Sequence, residues 1–250
     1  MLAPAPPAVS ALVVIQAPTP RFRVARFDTS GTYPQVRGPG RGLNRVNAAV
    51  RGAVLADQRS FAPYARREKP KIQYEAHGVY RTAVDRNLIS ASTVVVSALM
   101  PTTRELFPGQ HGGDGWLGIT LRVPSGTRVT IRDLFRSPSR GLRVLAAAWK
   151  ARIRRGPGGP CLRIYPDAYE TTAENYRTFA LTPRGLAVGA PEVEACYRLV
   201  ATVPYAVVRP CLSDLGMSLV DGVRSPAHQP PRLLRRNAAW FARSAQSSQQ

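Results

Sequence analysis

The sequence predicts an α+β fold, an antiparallel sheet carrying two main helices in a single compact domain, and three observations predict it. Short stretches alternate apolar and polar residues with the period of two that a half-buried strand requires. Two longer stretches carry apolar stripes at helical spacing. Gly- and Pro-rich breaks fall between them at hairpin and loop spacing. With 250 residues and 44% hydrophobic composition the chain can bury a substantial core, and no internal repeat is present.

The elements follow in order. Arg21 to Phe27 (RFRVARF) alternates like a strand, and Thr32 to Val36 (TYPQV) is short and extended, with Pro34 favouring an edge because it has no N–H to donate. RGPGRG breaks the chain. From Gly42 onward Leu43, Val46, Val50 and Val54 mark one face of a helix reaching about Tyr64, with Arg45 and Arg51 outward and Pro63 expected to end it. After the charged loop REKPK, two strands are expected, Ile72 to Val84 and Leu88 to Leu99. They are separated by Asp85-Arg86-Asn87, and the second, rich in β-branched residues, reads as central and buried. Trp116 to Val123 and Thr127 to Ile131 flank Pro124-Ser-Gly126 as a hairpin. The segment Arg132 to Arg155 reads as a short turn and then a longer helix with Leu142, Leu145, Trp149 and Ile153 on one stripe, closed by Gly156-Pro-Gly-Gly-Pro160. A linker follows. Arg177 to Thr182 and Leu186 to Gly189 then form a second hairpin across Pro183-Arg-Gly185, Tyr197 to Pro204 one more strand, and Tyr205 to Leu212 a brief helix.

Both ends read as tails. Residues 1–20 hold a short apolar stretch, Val9 to Ala17, that resembles a truncated signal but has no positive residues before it and is too short to span a bilayer. Residues 222–250 are rich in proline and arginine and end in a polar run, which favours a disordered basic tail over an amphipathic helix on an anionic surface. The domain proper is expected at 21–221.

The formal charge of +20 would ordinarily direct attention to nucleic acid or anionic polymers. Only Lys69, Lys71 and Lys150 among the 35 basic residues are lysines, however, and the arginines are dispersed from Arg21 to Arg243. Without aromatic stacking motifs, this pattern argues against dedicated nucleic-acid recognition. The three cysteines, Cys161, Cys196 and Cys211, are too few for a disulfide-built scaffold and have no zinc-type spacing. One disulfide with one leftover thiol and three free buried thiols stand as equal alternatives.

Several ordered strings resemble the RsiV-like domain family, domain of unknown function 3298, together with the half-domain that usually precedes it. They are TYPQV before a first helix, Gln110-His111-Gly112 before a strand, a strand–turn–strand ending in TIRDLF, and TFALTPRGLAV followed by ATVPYAVV. The resemblance covers about residues 22–216. It departs from the family pattern at Gln110, where a small residue is usual, and at GAPEVEA, which replaces an aromatic run before Cys196. What it implies is a secreted or otherwise extracytoplasmic protein, with a cytoplasmic one as the expectation if residues 1–20 are a plain tail rather than a truncated signal. It also suits a disulfide between Cys161 and Cys196, across the final hairpin region.

Catalysis is poorly provided for. The three histidines are His77, His111 and His228, and 15 acids serve the whole chain. Asp133 is accounted for as a helix N-cap, although Glu105, Asp114 and Asp133 together keep a hydrolase with paired carboxylates in view. No metal or cofactor is expected. The binding candidates are the Gly-rich loop with His111, Gly112 and Asp114, where backbone N–H groups can approach an anion, and Tyr165 and Tyr169 in the loop from Pro160 to Tyr176. Each has a plainer reading, a glycine turn for the first and core packing for the second. The expected function is a non-catalytic extracytoplasmic domain that binds a protein or cell-envelope component. The alternatives are a cell-wall hydrolase and an arginine-driven binder of anionic polymers or surfaces.

Overall fold

The computed structural model describes residues 12–20, 27–67, 77–107, 113–191, 196 and 199–224. Its α+β architecture stacks a helix, a six-stranded sheet, a three-stranded sheet and a second group of helices.

The first sheet contains β1 (Val13–Pro18), β2 (Phe27–Arg37), β3 (His77–Thr82), β4 (Ile89–Ala91), β5 (Val95–Phe107) and β6 (Asp114–Arg122). Its pairings are antiparallel except β2 with β3, which are parallel and joined through helix α1 (Leu43–Arg67). Strand β5 organises the sheet. One of its edges pairs with β6, and the other pairs with β4 through Val96–Ala98 and with β3 through Thr102–Phe107. Leu43, Val46, Val50 and Val54 are buried on α1 as the spacing predicts, against Val96, Ala98 and Met100 of β5 and Leu117, Ile119 and Leu121 of β6. Each fully buried valine contributes roughly 1.5–3 kcal/mol of apolar transfer.

The second sheet is a meander of β7 (Phe179–Thr182), β8 (Gly185–Gly189) and β9 (Val200–Val203). Helices α2 (Pro138–Arg154) and α5 (Asp214–Arg224) close its core, with the shorter α3 (Gly159–Ile164) and α4 (Tyr205–Val208) nearby. Leu142, Leu145, Trp149 and Ile153 are all buried on α2 as expected. The Trp149 indole N–H donates to the Val188 carbonyl at 3.0 Å. Cys161 and Cys196 form a disulfide, with Cα atoms 5.8 Å apart, and Cys211 is a free, half-buried thiol.

Small and hydroxylated residues join the two sheets. Ser90 and Ser97 sit opposite each other on β4 and β5. The Ser97 hydroxyl accepts the Leu181 N–H at 2.8 Å and bonds the Thr120 hydroxyl at 2.6 Å, while the Ser90 hydroxyl donates to the Leu181 carbonyl. Side chains of one sheet thus satisfy the outer edge of β7, which would otherwise be an open template for pairing. Gly118 allows the close approach, since a Cβ there would lie 2.6 Å from the Phe179 nitrogen.

Several expectations are corrected. Residues 12–20 are not a tail: Val13–Pro18 pair along β2, and Leu12, Val14 and Ala17 enter the core beside α1. At the other end α5 runs to Arg224, past the expected boundary, and buries Leu219, Val220 and Val223. The strand expected over Leu88–Leu99 is two strands, because the Ser92 hydroxyl accepts the N–H groups of Val94 and Val95 and turns the chain between them. Strand β5 then continues through Pro101 to Phe107. Pro101 falls in the gap between the β3 and β4 pairings, where no ladder N–H is required. Pro63 does not end α1, which continues for another turn. Thr127 to Ile131 returns beside β6 through a single bridge, Leu121 with Arg128, without becoming a regular strand. Asp133 caps no helix; its carboxylate accepts the Thr130 N–H and hydroxyl within a turn.

Pro34 keeps its edge character locally. The Val36 N–H and carbonyl point away from β1 to the Asn47 side chain, so Pro34, two residues earlier, directs its ring nitrogen to the same unladdered side. Gly31 marks the bend where β2 changes partners: its φ is +98°, and a Cβ would lie 1.8 Å from the Thr82 carbonyl oxygen.

Candidate functional site

A cleft of about 930 Å³ runs along the outer edge of β6. Ala53, Ala56, Asp57 and Ser60 of α1 form one wall, Gly115 to Gly118 and Thr120 the floor, and the segments 128–132 and 173–179 with Ala190 and Pro191 the other wall. The cleft exists because α1 covers one face of the β6 edge and the second sheet covers the other.

Strand geometry determines what the floor presents. The Arg104 N–H donates to the Gly113 carbonyl, so the odd-numbered residues at this end of β6 turn their backbone groups toward β5 and the even-numbered ones turn theirs outward. Further along the strand, the Val129 N–H bonds the Thr120 carbonyl and the Arg122 N–H bonds the Thr127 carbonyl. Closer to the start of the strand, the Arg128 guanidinium donates to the Gly118 carbonyl at 3.3 Å.

Charge in the lining is unbalanced. Arg104, Arg128, Arg132 and Arg177 stand against Asp57 and Glu174. Asp57 accepts from Arg104 at 2.8 Å and from the Tyr80 hydroxyl at 2.6 Å, and Glu174 is paired with Arg177 on the exposed rim. Tyr80 is fully buried, and burial with the adjacent Asp57 carboxylate raises its phenol well above the usual tyrosine range. The Asp57–Tyr80–Arg104 cluster is therefore a fixed strut between α1 and the sheet, and the positive surplus comes from Arg128 and Arg132. Neither has a carboxylate partner among the described residues.

The sequence candidates are distributed unevenly around this cleft. His111 and Gly112 lie outside the described residues. Asp114 is the first residue of β6, half-buried and next to the cleft floor. Tyr169 is buried with its ring 5.8 Å from that of Trp149, and its phenol is raised by burial and by neighbouring Tyr165. It belongs to the core beside Trp149, as does Tyr176, set edge-on to the same indole. Tyr165 packs half-buried against the same core. Of the carboxylates considered for hydrolysis, Glu105 pairs with Arg81 at 3.2 Å and Asp133 is committed to Thr130.

Among solved structures, the chain is similar to a protein from Pseudomonas aeruginosa, at 12% identity over 84% of this chain and 96% of the other with a TM-score of 0.49. It is also similar to a protein from Bacteroides fragilis, at 10% identity over 87% of this chain and 98% of the other with a TM-score of 0.48. Both are DUF3298 family proteins. That is the family which the ordered strings of this sequence resemble. No family model matches the sequence, and no curated protein matches it.

Nothing in the sequence marks Trp116, Gly118, Arg128 or Arg132 as cleft residues. The alternation of Trp116 to Val123 indicated a strand but not that its outer edge would stay open. The bridge at Arg128, which closes only the far end of that edge, has no distinct sequence pattern.

Proposed function

We propose that this chain is a non-catalytic, extracytoplasmic binding domain whose recognition site is the cleft along β6. The observation that carries the reading is the composition of the cleft: the carboxylates in its lining are held by arginine partners, and an open strand edge with surplus arginine faces the solvent. Such a surface serves recognition by hydrogen bonding and charge better than proton transfer, which needs an acid or base free to change state. The Cys161–Cys196 disulfide supports an oxidising compartment. The resemblance to RsiV-like domains supports the same location.

The test is to close the cleft without disturbing its hydrogen bonds. Ala56 is exposed on the α1 wall, so Ala56→Trp places a large ring in the mouth. Arrays of secreted proteins and envelope polymers, probed with the parent and the variant at equal folded content by circular dichroism, should show binding that the variant loses. Identical retention by both would remove the cleft from the function. Turnover of peptidoglycan fragments by the parent would replace binding with catalysis.

A further inference from the structure

Resting on that reading, we propose that the β6 edge takes an acidic segment of a partner protein in extended conformation, added to the first sheet as one more strand. The backbone supplies the first argument. Even-numbered residues of β6 direct their N–H and C=O groups into the cleft, and between Trp116 and Gly118 the partner found among the described residues is the guanidinium of Arg128 on the Gly118 carbonyl, at a long 3.3 Å. Gly118 is buried, so its outward N–H sits in a partly dehydrated slot where an unmet donor is costly. An incoming strand would satisfy these groups in the ordinary antiparallel or parallel pattern and displace the guanidinium.

Side chains supply the second argument. The Trp116 indole nitrogen is buried and has no acceptor among the described residues, and Trp116 lines the cleft, so a ligand carbonyl or carboxylate could accept that N–H. Arg128 and Arg132 have no carboxylate partner among the described residues, and once Arg128 leaves the Gly118 carbonyl both can pair with acidic side chains of the added strand. The edge from Gly115 to Gly118 that floors the cleft would accommodate about four residues, roughly 14 Å of extended chain. A polyanion without peptide groups meets the charge but leaves the edge unsatisfied, which is why the observations favour a protein segment.

The probe is a blocked seven-residue peptide alternating glutamate and valine, titrated into the full chain by calorimetry at two salt concentrations. Three comparison ligands are the same peptide N-methylated at its three central residues, its lysine counterpart, and heparin. The expected result is saturable binding that N-methylation weakens at least tenfold, that the lysine peptide does not reproduce, and that Arg128→Gln with Arg132→Gln weakens at least tenfold. Equal affinity of the N-methylated and parent peptides, binding of heparin but no peptide, or no peptide binding at millimolar concentration would overturn the proposal. The Ala56→Trp variant separates the two readings. If the lysine peptide binds and Ala56→Trp abolishes it, the cleft binds ligands and only the acidic-strand assignment falls; if Ala56→Trp leaves every affinity unchanged, the cleft reading falls as well.

Discussion

Replacing Ser97 with alanine tests how the two sheets are joined. Ser97 is fully buried, and its hydroxyl is engaged twice, by the Leu181 N–H at 2.8 Å and by the Thr120 hydroxyl at 2.6 Å. Removing it leaves a buried amide without an acceptor, which costs about 1–3 kcal/mol, and a buried hydroxyl without its partner, which costs about 1 kcal/mol more. A loss of roughly 2–4 kcal/mol is expected. With a urea slope of about 2 kcal/mol per molar, the unfolding midpoint should fall by about 1–2 M at unchanged slope. Ser60→Ala on the exposed face of α1 is the control and should stay within about 0.5 kcal/mol. Because Ser90 holds the carbonyl of the same Leu181, a double-mutant cycle between Ser90 and Ser97 should give a coupling of about 0.5 kcal/mol or more. A Ser97→Ala midpoint shift no larger than that of the Ser60 control would refute the idea that these serines dock the second sheet.

Other perturbations have equally definite outcomes. Reducing the Cys161–Cys196 disulfide, which spans 35 residues of sequence, should lower stability by about 3–4 kcal/mol on the loop-entropy relation, seen as a lower melting temperature in reductant. Asp57→Ala removes the acceptor of both Tyr80 and Arg104 and should cost about 2–4 kcal/mol in denaturant unfolding. Tyr80→Phe leaves the Asp57–Arg104 pair intact and should cost less. Burial raises the phenols of Tyr80, Tyr176 and Tyr205 above their ordinary value near 10. The folded chain therefore holds more protons than the unfolded chain at alkaline pH. This contribution to stability is complete below about pH 10 and falls above it by about 1.4 kcal/mol per pH unit for each tyrosine. Unfolding midpoints that stay level from pH 9 to 11 would contradict that burial.

The sequence made the regular parts of the fold readable where one physical signal dominated. Val46, Val50 and Val54 could only face a core at that spacing, and Pro183-Arg-Gly185 between two apolar runs could hardly be anything but a hairpin turn. Where side-chain chemistry overrode pattern, the reading failed. Ser92 turns the chain inside a uniformly apolar run, and Pro101 is accommodated in a strand because its neighbours' ladders happen to stop on either side of it. Val13–Pro18 has the composition of a signal remnant but becomes a strand once β2 offers a partner, which is a property of the fold and not of those six residues. The cleft was the least legible feature. Its floor is the edge of a correctly expected strand, but openness is decided by elements far away in sequence, α1 and the 173–179 segment. Tyr169 reads from the sequence as an aromatic in a loop and is core in the fold, because the loop folds over Trp149.

The seam of Ser90, Ser97, Thr120, Ala180 and Ala187 also divides the interior into compartments. Val95 faces the core around α2, while Val96, the next residue, faces the core around α1, so β5 is a party wall with different tenants on its two sides. A change of volume on one side reaches the other only through a backbone held by hydrogen bonds, which transmits shape poorly. Each compartment can therefore be repacked over many generations, or by an engineer, without renegotiating the other.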